Sequence, residues 1–244
     1  MTVNCKSLGV QLYDYCAKYK VPIEKIFQIL EDQKVVPMIR GKATEYTVYI
    51  KLMEILSDNE WSIVKLNLNA QTNSDDEDIC ITHKRTGIII RVESKNASRG
   101  SFKSGRNGKK FKEPHCTIKC HKSRSSIKKV GKGNDMYSAD AFDIIISNLS
   151  NSIIAGKTYS ENFELISDIE CLQILSRHYN VPETFDDIFD ATYDDWRFAK
   201  TSDLAKDNFL PRTPPLFLDG DKTWRPIDEL EAALLQIVGL KRKN

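Results

Sequence analysis

Apolar positions recur at helical spacing from the start of the chain to Leu56 and change to strand-like alternation beyond it. Residues 7–19 and 23–31 read as two short helices split at Val21-Pro22, where a proline suits a helix start. After Val36-Pro37, residues 41–56 (GKATEYTVYIKLMEIL) read as a third helix. Val48, Leu52, Ile55 and Leu56 form its apolar stripe, and Glu45 falls in its first turns. Residues 61–69 alternate as a strand, and the polar QTNSDDED that follows is loop-like. Residues 78–83 and 88–95 predict two strands joined by Lys84-Arg85-Thr86-Gly87, a hairpin. Residues 115–122 alternate again, and 141–147 (AFDIIIS) read as a buried strand. The last third mixes an acidic helical region over 161–178, a turn-rich PRTPP at 211–215, and a closing helix from about 227 to 240. The expected fold class is α/β: a central mixed β-sheet flanked by helices, with an N-terminal helical region over 1–38 and one domain over 39–244.

The hairpin sorts its residues by parity. Pairing about the four-residue turn sets Asp78 opposite Glu93, whereas a tip at Thr86-Gly87 sets Asp78 opposite Lys95. Either register puts Asp78, Glu93 and Lys95 on one face. Ile79, Ile81, Ile88, Ile90 and Val92 then share the other, an aliphatic side suited to a core. Directly opposed side chains lie ~5 Å apart at Cβ. Two carboxylates at that separation can share a divalent cation, and an adjacent amine can reach the water or phosphate it holds. A half-exposed strand with Arg91, Glu93 and Lys95 as surface charges has the same pattern.

Charge distribution adds a partner. The chain nets only +2, yet residues 84–132 hold sixteen Lys and Arg against Glu93 and Glu113, leaving the remainder strongly acidic. So dense a cationic stretch points to a polyanion, and nucleic acid is the commonest one inside cells. Residues 100–110 are rich in Gly, Ser and basic side chains, but Arg106 follows Gly105 where a phosphate-binding loop requires lysine.

Gly41-x-x-x-Glu45 on a helix, Asp78-Ile79 opening a strand and Glu93-Ser94-Lys95 ending the next resemble the PD-(D/E)XK nuclease superfamily, and among its members the type II restriction endonucleases of restriction-modification systems. The likeness covers residues 41–150, with 151–244 as an elaboration. The proline of the motif's name is absent, since Glu77 precedes Asp78. Asp75 and Asp76 lie in the preceding loop. The resemblance implies that Asp78, Glu93 and the Ser94 backbone carbonyl hold one or two Mg²⁺ ions, hard oxygens suiting a hard cation. It implies that Lys95 orients the attacking water and neutralises charge at the phosphate, and that Glu45 steadies a water beside the metal. The activity implied is sequence-specific cleavage of double-stranded DNA to 5′-phosphate ends by a homodimer. A repair or structure-specific nuclease of the same superfamily, and a non-catalytic DNA-binding regulator using the N-terminal helices, are the alternatives.

The segment HCTIKCH at 115–121 carries potential zinc ligands, but neighbours on an extended strand diverge to opposite faces. It reads better as a core strand beyond the hairpin that turns His115, Thr117, Lys119 and His121 towards DNA, continued by Lys122 and Arg124. Arg99, Lys103, Arg106, Lys109 and Lys110 on the Gly-rich loop complete the expected DNA contacts. Trp196 is expected to be buried, with Arg197 beside it. The first ten residues lack the apolar core of a signal peptide, and no run approaches the ~18 apolar residues of a membrane span. A cytoplasmic protein with its six cysteines reduced is expected.

Overall fold

The computed structural model describes residues 5–32, 34–66, 77–105, 111–121, 135–154 and 168–243. Its helices and strands, in chain order, are α1 (Cys5–Tyr19), α2 (Ile26–Leu30), α3 (Val36–Ile55), β1 (Trp61–Lys65), β2 (Ile79–His83), β3 (Ile89–Ser94), β4 (His115–Thr117), β5 (Ile144–Asn148), α4 (Ile169–Tyr179), α5 (Phe185–Asp194), β6 (Trp196–Lys200), α6 (Thr201–Leu204), β7 (Pro215–Phe217), β8 (Arg225–Pro226) and α7 (Leu230–Lys241). Two compact units divide the chain, Met1–Ala43 and Thr44–Asn244, and α3 runs through the boundary. That helix starts five residues before the expected Gly41, because Pro37 in its first turn has no N–H to waste and a φ already suited to a helix. Glu45 consequently lies in mid-helix, not in the first turns.

In the larger unit six strands form one mixed sheet in the order β1-β2-β3-β5-β6-β8. Strands β1, β2 and β3 form an antiparallel meander, β5 lies parallel to β3, and β6 and β8 return antiparallel. Each face carries its own core. Ile79, Ile81, Ile90 and Val92 join Ile144, Ile146 and Phe198 beneath Val48 and Leu52 of α3 and Leu234 of α7. Ile145 and Ala199 point the other way, against Cys171 and Leu175 of α4 and Ile188 of α5. The uninterrupted IIIS run of β5 is thus apolar on both faces because helices cover both.

The hairpin adopts the four-residue turn. Ile79 pairs with Val92 and Ile81 with Ile90, and the His83 N–H donates to the Ile88 carbonyl at 2.9 Å. Gly87 takes φ +70°, a conformation that favours glycine at the end of that turn.

The 115–121 segment departs from expectation. Its strand is confined to β4, which pairs with β7 in a separate two-stranded sheet, and the strand beside β3 is β5. The alternation itself holds, since Cys116, Ile118 and Cys120 are fully buried. His115, however, is buried in a three-ring cluster with Phe111 and Phe217 and does not face outward. Among the described residues no helix is long and apolar enough to cross a membrane.

Candidate active site

Asp78 immediately precedes β2, and Glu93 and Ser94 close β3 with Lys95 just beyond. Glu93 pairs with Ile145 of β5, so it stands between two strands in the middle of the sheet, only 3 % exposed. The Lys95 backbone continues the ladder, its N–H donating to the Ile146 carbonyl at 2.9 Å. Its ammonium donates to Glu93 Oε1 and, at 3.3 Å, to the Tyr137 hydroxyl, with the Tyr137 ring centroid 5.0 Å away.

Asp78 is held by the other strand's end. Its Oδ2 accepts from the Ser94 N–H at 2.9 Å and from the Ser94 hydroxyl at 2.7 Å. Parity alone aimed this carboxylate at Glu93; where the ladder ends at Ile79, the chain is free to turn it onto Ser94 instead. It still lies near enough to raise the Glu93 pKa.

Glu45 enters from α3. Lys65, on the apolar side of β1 with Trp61 and Ile63, donates to Glu45 Oε2 at 2.7 Å and sits 4.9 Å from the Tyr46 ring centroid. One residue earlier, the Thr44 hydroxyl donates to Asn96 Oδ1 at 2.8 Å, tying the helix to the chain just past Lys95. Four of the expected residues, Asp78, Glu93, Lys95 and Glu45, are therefore gathered in one electrostatic cluster.

The charges in that cluster are poorly balanced. Burial, reinforced by Asp78 and Glu45 and opposed by Lys95, leaves the Glu93 pKa raised to about 8. Asp78 is raised by burial and by Glu45, against the Ser94 hydrogen bonds and Lys95. Burial lowers the Lys95 pKa, but Glu93, Tyr137 and Asp78 outweigh it and keep the ammonium protonated. The Tyr137 phenol is raised by its own burial.

Glu93 Oε2 is buried without a hydrogen-bond partner among the described residues. A buried acceptor left unpaired beside a second carboxylate whose ionisation is also resisted fits a divalent cation, which would satisfy the orphan oxygen and lower both pKa values. Among the described residues no three His, Cys, Asp or Glu side chains form a metal-holding group. Asp78, Glu93 and the Ser94 carbonyl would be the protein's share, a small donor set of the kind Mg²⁺ accepts because it keeps several waters.

Sequence reasoning missed Lys65 and Tyr137. Lys65 left a trace, a lysine on the same parity as Trp61 and Ile63. Tyr137 left none, since nothing local links it to a lysine 42 positions earlier.

The expected DNA contacts divide. Residues 96–98 lie antiparallel to 117–119, with the Lys119 N–H donating to the Asn96 carbonyl at 3.1 Å, so exposed Lys119 stands next to the chain just past Lys95. Lys103 is exposed, its ammonium on the Gly100 carbonyl at 3.2 Å. Arg99 is half-buried, with an Nε that has no partner among the described residues, and His121 is half-buried opposite Met136. Arg106, Lys109, Lys110, Lys122 and Arg124, with Asp75 and Asp76, lie outside the described residues. Trp196 is buried, and Arg197 is fixed by Asp195 at 2.7 and 2.8 Å and by the Phe217 carbonyl at 2.8 Å.

No family model matches the chain, and no curated protein does. A solved structure described as that of a bacterial homing endonuclease is similar at TM-score 0.32 and 11% identity, over 83% of this chain and 94% of that one. An overlap this loose carries no argument about this chain.

Proposed function

We propose that this chain is a Mg²⁺-dependent, sequence-specific endonuclease for double-stranded DNA, of the type II restriction kind, leaving 5′ phosphates and working as a homodimer in the cytoplasm. The observation that carries the reading is Glu93: a buried carboxylate with one oxygen on the Lys95 ammonium and the other unpaired among the described residues, beside Asp78, at the end of a hairpin whose back face is core.

Asp78, Glu93 and the Ser94 carbonyl would hold Mg²⁺, which would supply Lewis-acid polarisation of the scissile phosphate. The remaining work belongs to the chain. Glu93 Oε1 and the Tyr137 hydroxyl hold Lys95 by its ammonium. So restrained, Lys95 presents a fixed positive charge to the phosphate oxygens and a donor to orient the attacking water, with little reorganisation left for the transition state. Ser94 keeps Asp78 from rotating away. Lys65 does the same for Glu45, which can accept a hydrogen bond from a water at the rim. Lys119 and Lys103, with Arg99, Arg106, His121, Lys122 and Arg124, supply the backbone contacts that position a duplex.

Incubating the protein with plasmid DNA and Mg²⁺ tests this. Discrete fragments with 5′-phosphate ends support it. Nicking or branched-DNA cleavage would move the chain to the repair class, and DNA retardation with no cleavage would make it a regulator.

A further inference from the structure

The N-terminal unit buries little of its own apolar surface. Among its described residues only Cys16 and Ile26 are buried hydrophobic positions. Along α1, Leu8, Leu12, Tyr15 and Tyr19 are 39–57 % exposed, at intervals of four, three and four residues. That spacing sets side chains in one line along a helix and is the spacing of a helix–helix seam. The Tyr15 and Tyr19 rings lie 4.8 Å apart on it. Ile23, Phe27 and Leu30 repeat the four-then-three interval in the turn and helix that follow, 41–70 % exposed.

These seven side chains expose on the order of 700 Å² of apolar surface, taking ordinary side-chain areas. The largest apolar patch of a typical monomer is about 300–600 Å². Each partner in a standard interface contributes ~800 Å². Taken together, the stripe of α1 and that of residues 23–30 expose about as much surface as one half of a dimer interface buries.

We infer that this stripe is the seam on which a second copy of the chain docks, α1 against α1 about a two-fold axis. A row of Leu and Tyr at this spacing is self-complementary, because each helix offers both the knobs and the holes between them, and a two-fold contact uses the same patch twice. The seven side chains are themselves uncharged, with the Lys18 ammonium 5.1 Å from the Tyr19 ring centroid at one end of the stripe, while the chain's basic residues concentrate in 84–132, where a polyanion is offered far more charge. The inference names the interface of the homodimer proposed above and rests on that reading for its purpose, since cutting both strands takes two sites; its geometry does not.

Sedimentation of the full chain over a range of concentrations, without DNA or metal, tests the inference. A species of twice 27.9 kDa is expected. Leu12→Glu and, separately, Tyr15→Lys each place a charge in the seam twice per dimer and raise the dissociation constant at least about tenfold. Both positions are exposed in one copy, so circular dichroism and the thermal response to Mg²⁺ stay unchanged. A wild-type protein of 27.9 kDa at every concentration overturns the inference, as does a dimer that neither substitution weakens. An inactive dimer would sink the nuclease reading and leave the seam standing; a monomer that cuts plasmid would do the reverse.

Discussion

Replacing Glu93 by glutamine should remove a pH dependence of stability between about pH 4.5 and 8 in metal-free buffer. The Glu93 carboxyl is almost fully buried, and that burial carries its pKa from 4.5 to about 8, with Lys95 opposing and Asp78 and Glu45 reinforcing the rise. In the unfolded chain the group ionises near its ordinary value. Between the two values the native state holds a proton that the unfolded state has released, so stability falls as pH rises. The slope is about 1.4 kcal/mol per pH unit, which by pH 7 amounts to roughly 3 kcal/mol. Below the window both states are protonated, and above it both are ionised, so the slope vanishes on either side. The Glu93→Gln protein has no such proton to hold, whatever it loses overall by depriving Lys95 of its ion pair. Urea unfolding of both proteins with a chelator present, followed by tryptophan fluorescence at several pH values, reads the difference directly. Added Mg²⁺ should stabilise the wild type most at the upper end of the window, where displacing the proton takes least work, and the variant hardly at all. A wild-type-minus-variant stability that stays constant from pH 5 to 8 would refute the reasoning.

Three further outcomes are expected. Lys95→Ala and Asp78→Ala should each lower Mg²⁺-dependent cleavage by about 10³-fold or more while binding to the recognition sequence, measured by gel retardation in Ca²⁺, persists; full activity in either removes the proposed site. DNA affinity should fall steeply with salt, and Lys119→Ala should reduce the log–log slope by about one phosphate contact, so an unchanged slope takes Lys119 off the duplex. Leu52→Ala, at a fully buried position under the hairpin's aliphatic face, should cost about 2–5 kcal/mol in urea unfolding, and a loss below 1 kcal/mol would mean that α3 does not pack there.

Local pattern was enough for the elements whose periodicity is long. The meander's aliphatic parity set, Ile79, Ile81, Ile90 and Val92, is the set found in the core, because a strand has only two faces and only one was apolar. The stripe of Val48, Leu52 and Leu56 was legible for the same reason. Short strands without a period were not. Three residues at β7 and two at β8 carry no alternation to read, and Trp196–Lys200 is buried along most of its length, so it shows no polar side. Whether HCTIKCH would line the central sheet was equally beyond local reading, since its partner, β7, lies about a hundred positions away.

What the sequence by itself determined is the ribbon: two alternating runs and a glycine turn bring Asp78, Glu93 and Lys95 to the same end of one hairpin, because hairpin pairing is a local, short-loop event. What only the tertiary structure decided is the state of those groups. The parallel edge that β5 presents to β3 buries Glu93, Tyr137 arrives to share the Lys95 ammonium, Lys65 takes hold of Glu45, and Ser94 claims Asp78. Spacing along a strand can say which side chains are neighbours. Desolvation, which leaves one oxygen of Glu93 without a partner among the described residues and resists its charge, exists only once distant segments have closed over it.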